Sequence, residues 1–226
     1  MHDSAHDGSA RPVVGITCDV TDDKLDVRRT YGRAVVRAGG VPVYLDPSVA
    51  LIPAYLRLCD GFVLTGGDDP SMESFGEATH AMATPIHADR QSFEMALIAA
   101  AEDDDRAVLG VCLGMQLMGL HGRGTLDQFL PDVLPTAHEH WNRVTHTIEG
   151  SLGSGVVHSH HRQALRDAGR LEVVARAHDG VIEAIRDPAR TWWVGVQWHP
   201  ERTDDAQLGQ GLFDALVRAM TMPVGA

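Results

Sequence analysis

One junction constrains this 226-residue chain more than any other feature: VLGVCLGMQLMGL, residues 108 to 120. Val108, Leu109 and Val111 read as the end of a buried strand. Leu113, Met115, Leu117, Met118 and Leu120 read as the start of an apolar helix. Cys112 stands at the join, with Gly110 and Gly114 two residues to either side. A sharp strand-to-helix turn of this kind is the cysteine form of a nucleophile elbow, a feature of α/β architecture. Side chains flanking such a turn collide with neighbouring backbone, and glycine at both flanks removes the collision.

The surrounding pattern agrees. Short apolar runs predict strands at 13–17, 41–45, 61–64 and 107–111. Helical patterns lie between them at 27–38, 49–58 and 89–102. Gly39-Gly40 closes the first helix, and Phe93, Ala96, Leu97 and Ala100 share one face of the third. The alternation predicts a mostly parallel sheet with helices on both sides. Residues 125 to 155 read as loop-rich, with Pro131, Pro135, Gly150, Gly153 and Gly155. Further strands are predicted at 155–158, 171–177, 181–186 and 193–198. Asp179-Gly180 sits between two of these runs as a hairpin turn, so this part of the sheet is antiparallel. An amphipathic helix is predicted over 205–220. Residues 1 to 11 read as a flexible tail, and residues 12 to 226 as a single domain.

A net charge of −12 argues against a nucleic-acid or anionic-membrane surface. No run approaches the roughly 18 apolar residues of a membrane span. The three cysteines, Cys18, Cys59 and Cys112, do not form a disulfide framework, which points to a reducing, cytoplasmic setting.

A thiol at this turn projects at the carboxyl end of the sheet, where open α/β folds place their sites. The N–H groups of the following helix favour negative charge there, and the Leu113 N–H can stabilise an oxyanion. A thiol nucleophile needs a general base and a group to orient it. VGVQWHPER supplies both: His199 follows a strand-like run, and Pro200 biases it towards an extended conformation. In an extended chain Glu201 points the same way as His199 and can fix its tautomer. GFVLTGGDDP ends a strand in Gly66-Gly67, where backbone N–H groups can approach a substrate closely.

These elements, in this order, resemble the class I glutamine amidotransferases. Within that class the chain is most similar to the stand-alone peptidase C26 hydrolases. ADRQSFEMALI (88–98), GRGTLDQFLP (122–131), HSHHRQAL (158–165) and DGVIEAI (179–185) add to the likeness, which runs from about residue 12 to 220. The resemblance implies a flavodoxin-like three-layer α/β fold and a Cys112–His199–Glu201 triad. It places the oxyanion hole at the Gly67 and Leu113 N–H groups, and substrate binding at Gly66, Gln116, Ser159, His160 and His161. The implied reaction is hydrolysis of a γ-glutamyl amide, such as γ-glutamyl-γ-aminobutyrate, through a γ-glutamyl thioester. No cofactor is implied. The implied partner is the small γ-glutamyl substrate, with room for a homodimer. Two departures bear on which amine leaves. His158 stands where the family often has Asn, and Arg162 where it often has His.

Two other functions fit parts of the pattern. A glutaminase subunit would pass ammonia to a separate synthetase, and a thiol sensor on the same fold would oxidise Cys112. A sensor needs no proton relay, so His199 and Glu201 argue against it. His138, His140, His146, His158, His160 and His161 suggest a metal, but no cysteine or carboxylate completes a recognisable ligand spacing. The expectation is therefore no metal.

Overall fold

The computed structural model describes residues 11–221. The proposed tail lies outside the described residues except for Arg11, whose guanidinium donates to the Gly39 and Gly40 carbonyls at 2.8 and 2.9 Å.

The first half of the chain contains β1 (Val13–Thr17), β2 (Asp19–Thr21), β3 (Lys24–Asp26), α1 (Arg29–Arg37), β4 (Val41–Leu45), α2 (Ile52–Leu58), β5 (Gly61–Leu64), α3 (Ala88–Asp103), β6 (Ala107–Val111) and α4 (Leu113–His121). The second half contains β7 (Thr125–Asp127), β8 (Val144–Gly150), β9 (Gly155–Ser159), β10 (Ala164–Asp167), β11 (Glu172–Ala177), β12 (Ile182–Arg186), β13 (Trp193–Val196) and α5 (Gln210–Thr221).

Nine strands form one sheet in the order β4-β1-β5-β6-β13-β12-β11-β8-β9. The strands from β4 to β13 run parallel, and those from β13 to β9 alternate as antiparallel neighbours. Strands β5, β6 and β13 are buried along their whole length. Side chains alternate between two cores with the strand period of two. Phe62, Leu64 and Val108 meet α2, α3 and α4 on one face. Val14, Ile16, Val63, Leu109 and Val111 meet α1 and α5 on the other. This is the expected three-layer α/β arrangement. Helix α4 is apolar on every side because it is covered on every side, and all of Leu113 to Leu120 is buried.

Strands β1, β4, β5 and β6 match their predicted bounds, β13 ends at Val196 instead of Trp198, and the Asp179-Gly180 hairpin joins β11 to β12. Four readings need correction. The segment 125–155 is not merely loop: β8 lies inside it and pairs with both β9 and β11. Its run VTHTIEG does alternate buried and exposed positions, but with polar threonines and a histidine in place of a clear apolar stripe. The short hairpin β2–β3 and the pair β7–β10 were not anticipated. Helix α5 begins at Gln210, not Asp205, because the Asp205 carboxylate accepts the Gln207 and Leu208 N–H groups and holds a separate turn. Helix α3 buries Arg90, Gln91 and Glu94 beside Phe93 and Leu97, while Ala96 and Ala100 are only partly covered. None of the described helices is long and apolar enough to cross a membrane.

Candidate active site

Strand β6 lies between β5 and β13, parallel to both, so the segments leaving three adjacent strands meet at one edge. Cys112 follows β6, Thr65-Gly66-Gly67 follows β5, and Gln197 to Glu201 follows β13. Val111 pairs with Val196, and the Cys112 N–H donates to the Val196 carbonyl at 2.8 Å.

Cys112 has φ 51° and ψ −104°, a conformation that costs a non-glycine residue on the order of 1–3 kcal/mol. The flanking glycines are needed. A Cβ at Gly114 would stand 2.7 Å from Leu64 Cβ, and one at Gly110 would stand 2.8 Å from the Gly114 carbonyl carbon. The elbow is packed against the end of β5 too closely for any side chain at those two points.

His199 is buried, and its Nδ1 lies 3.0 Å from Glu201 Oε1. His199 avoids the helical region, as Pro200 requires, but at φ −105° and ψ 88° it falls short of a fully extended strand, and Glu201 reaches back differently from the expected path. Pro200–Arg202 form a 3₁₀ turn with proline at its start, and that turn, not a continuing strand, presents the carboxylate. Arg202 Nε lies 3.1 Å from the same oxygen. Burial opposes charge on His199. The Glu201 carboxylate and the Cys112 thiol outweigh it and push the imidazole up to about 9. Burial likewise opposes charge on Glu201, and His199 and Arg202 reverse it, holding the carboxyl below its ordinary value.

Gly66 lies between these groups. A Cβ there would sit 3.0 Å from His199 Cε1 and 3.5 Å from Cys112 Cβ, so the imidazole and the thiol-bearing carbon flank the same glycine. The Gly66 N–H is already taken by the Tyr31 hydroxyl at 3.0 Å. At Gly67 a Cβ would stand 3.0 Å from Leu113 Cδ2, so the Leu113 side chain packs against the Gly67 backbone.

A cleft opens beside Cys112, walled by Gly67, Asp69, Gln116, Trp141, Arg162 and Gln163. Gln116 Nε2 is 3.3 Å from the Gln163 carbonyl and 3.2 Å from Gln197 Oε1, and Gln197 Nε2 is 3.6 Å from Cys112 Sγ. The buried Gln163 amide has no hydrogen-bond partner on either side-chain atom, which leaves it free to serve a ligand. His160 and His161 border the cleft. The His160 ring stacks on Trp141 at 4.1 Å, and burial pushes it down to about 4. Ser159 is buried, and its hydroxyl donates to the His140 carbonyl at 3.0 Å. It therefore supports the cleft through the backbone. His158 accepts the His199 N–H through its carbonyl at 2.9 Å, and the Arg162 guanidinium lies 4.5 Å from the Trp141 ring centre.

Sequence reasoning assigned no role to Arg90, Tyr31, Trp141, Gln163, Gln197 or Arg202. Arg90 is the most consequential of these. Fully buried, it donates to the Thr65 and Gly66 carbonyls at 3.0 and 3.1 Å and to Glu94 at 2.8 Å, and it lies 3.0 Å from Asp19. Its one available signal was the RQSFE charge pair at i, i+4 on a helix that otherwise reads as apolar.

The expectation that no carboxylate completes the histidine set is also corrected. Glu183, on β12, brings its carboxylate within 3.3–3.5 Å of His140, His146 and His161. Sequence spacing could not show this, because the four residues come from separate strands and loops.

The geometry predicts selective thiol chemistry. Burial pushes Cys18 and Cys59 each up to about 11, and both are 1% exposed. Cys112 alone borders the cleft and meets a helix N-terminus. With iodoacetamide at pH 7 followed by peptide mass mapping, Cys112 is expected to label first and to be protected by a γ-glutamyl ligand. Earlier labelling of Cys18 or Cys59 would remove the elbow from the chemistry.

A family profile described as Peptidase C26 matches residues 12–201. The protein of Mycobacterium tuberculosis named "putative glutamine amidotransferase" is 34% identical over 92% of this chain and 76% of its own length. The γ-glutamyl-γ-aminobutyrate hydrolase of Escherichia coli O157:H7 is 29% identical over 92% of this chain and 93% of its own. Among solved structures, a glutamine amidotransferase from Thermotoga maritima superposes with a TM-score of 0.60 at 15% identity. That match covers 93% of this chain and 96% of the other, and shows a shared fold.

Proposed function

The chain belongs to the peptidase C26 family of glutamine amidotransferase-like hydrolases, and from that premise we propose that it cleaves γ-glutamyl amides of small amines. The observation that carries the reading is the meeting of Cys112, on its strained elbow, with the hydrogen-bonded His199–Glu201 pair at the ends of neighbouring parallel strands.

Each group then has a task. Cys112 Sγ attacks the γ-carbonyl carbon, and the carbonyl oxygen takes up negative charge beside the Gly67 and Leu113 N–H groups. His199 holds the proton that leaves the thiol and delivers it to the amine nitrogen as the C–N bond breaks. Glu201 orients the ring and stabilises its charged form. Water then attacks the γ-glutamyl thioester, His199 takes its proton, and glutamate leaves as Cys112 is restored. Nucleophile, base and orienting acid all come from the chain, so the reaction calls for no redox or group-carrying cofactor.

The cleft suits a glutamyl head group, which carries one cation and one anion. Asp69 can face the α-ammonium, Arg162 the α-carboxylate, and the unpartnered Gln163 amide either one. The His158 and Arg162 departures fall beside this pocket, so the amine accepted is expected to differ from that of relatives with Asn and His there.

The test is a panel of γ-glutamyl amines, glutamine included, scored by released glutamate. Turnover of γ-glutamyl amines well above that of glutamine is expected. Turnover of glutamine alone would favour a glutaminase subunit, and acylation of Cys112 by none of them would defeat the reading.

A further inference from the structure

Beside the cleft the fold buries a second group of chemical side chains. His140 precedes β8, His146 lies on it, His161 follows β9, and Glu183 lies on β12. All four are at least nine-tenths buried. His140 Nδ1 and His146 Nε2 each lie 3.3 Å from Glu183 Oε1, and His161 Nε2 lies 3.5 Å from it.

These approaches have hydrogen-bond length but not hydrogen-bond direction. His140 Nδ1, His161 Nε2, both nitrogens of His146 and both oxygens of Glu183 lack a hydrogen-bond partner. Each such buried group left unsatisfied destabilises the fold. The outer nitrogens of two rings are in contrast engaged. His140 Nε2 lies 3.0 Å from Asp179 Oδ2, and His161 Nδ1 lies 2.8 Å from the Gln163 carbonyl. An acceptor at each outer nitrogen fixes the proton there. In the neutral rings the inner nitrogens of His140 and His161 are then lone pairs facing a carboxylate oxygen, an arrangement that repels until a proton or a metal cation lies among them. Histidines that ligate metals are held in this way, with the far N–H given to a carboxylate or carbonyl.

We propose that His140, His161 and Glu183 form a buried structural site for a divalent transition ion, with zinc the best match, separate from the reacting thiol, and that His146, whose Nε2 lies 3.3 Å from Glu183 Oε1 but outside that three-residue group, moves in to complete it when the ion binds. Zinc bonds of about 2.0–2.1 Å place the ligand atoms of a tetrahedron about 3.3 Å apart, the spacing seen between these nitrogens and Glu183 Oε1. The candidate ligand atoms of His140, His161 and Glu183 all lie within 4.8 Å of one another. Two imidazoles and one carboxylate, with a third imidazole beside them, are a borderline-soft set suited to zinc and poorly suited to magnesium or calcium. The ion would tie β8, β9 and β12 together and anchor the His160–Gln163 segment, which supplies the cleft with His160, Arg162 and Gln163.

The test uses the full chain without an affinity tag, since added histidines would bind metal themselves. After loading with ZnCl2 and gel filtration, one zinc per chain is expected by elemental analysis. Removing it with a strong chelator should lower Tm by several degrees, and ZnCl2 should restore it, because a ligand of the folded state stabilises by mass action. Glu183→Gln and His161→Gln should lose the zinc, while His138→Ala, at an exposed histidine, should retain it. Should either ligand variant fold poorly, CoCl2 titration of the unaltered chain decides the matter, with the intense visible absorption of tetrahedral cobalt expected. A chain that retains no zinc and shows no tetrahedral cobalt spectrum would overturn the proposal, as would equal zinc retention by folded Glu183→Gln and His138→Ala. Hydrolysis by the triad fails or survives independently of these readouts.

Discussion

Cys112→Ala is expected to abolish γ-glutamyl amide hydrolysis, with a loss on the order of 10⁶-fold in kcat, because removing the nucleophile of a triad removes its concerted action. The fold should survive. Alanine is smaller than cysteine and keeps the Cβ packed in the core, and the thiol accepts only a weak hydrogen bond from Gln197 at 3.6 Å. Glu201→Gln should cost less, about 10²–10⁴-fold, since nucleophile and base both remain. It should also change the pH dependence. In the parent, Glu201 and Cys112 hold His199 up at about 9 against the opposing effect of burial. A raised histidine contributes stability that is complete below its unfolded value of about 6.5 and is lost as pH rises through its folded one. The parent should therefore lose stability as pH climbs from about 6.5 through about 9, and the variant should lose less over that window. Single-turnover rates and Tm across pH check both points. Equal, complete loss of activity in the two variants, with unchanged Tm, would give Glu201 a larger role than orientation.

Arg90→Met should be the most destabilising of the changes considered. It leaves Glu94 fully buried without its partner, and breaking a buried pair from one side costs about 3–5 kcal/mol. At about 2–4 °C per kcal/mol for a chain of this size, Tm should fall by roughly 6–20 °C. Replacing both partners, Arg90→Met with Glu94→Leu, should recover much of that loss, because no charge is then stranded in the core. Activity should not recover with it. Arg90 also holds the Thr65 and Gly66 carbonyls, and with them the loop that presents the Gly67 N–H. A double variant restored in both Tm and kcat would show that the arginine serves stability alone.

The part of this molecule legible in its sequence is the part governed by local rules. Strands β1, β5 and β6 are short apolar runs buried almost throughout, and the half-exposed edge strand β4 is a short apolar run as well, so all four carry their identity in composition. The elbow was legible because no side chain but hydrogen fits at Gly110 and Gly114, and Asp179-Gly180 because a two-residue turn demands those residues. His199 and Glu201 were legible because they lie two residues apart, although the turn that joins them was not. Strand β8 was obscured because threonine and histidine occupy its pairing positions, and its strand character comes from β9 and β11 on either side. Everything that depends on residues distant in sequence was decided by tertiary structure alone. Parallel pairing of β6 with β13 brings the thiol to its imidazole, and burial of α3 against the end of β5 turns a surface-like arginine into the clamp on the Gly66 loop. The three histidines find Glu183 only because β8, β9 and β12 share one sheet. Local sequence sets which conformation a segment prefers, and long-range pairing sets which side chains become neighbours, so the chemistry could be read from short motifs while its supports could not.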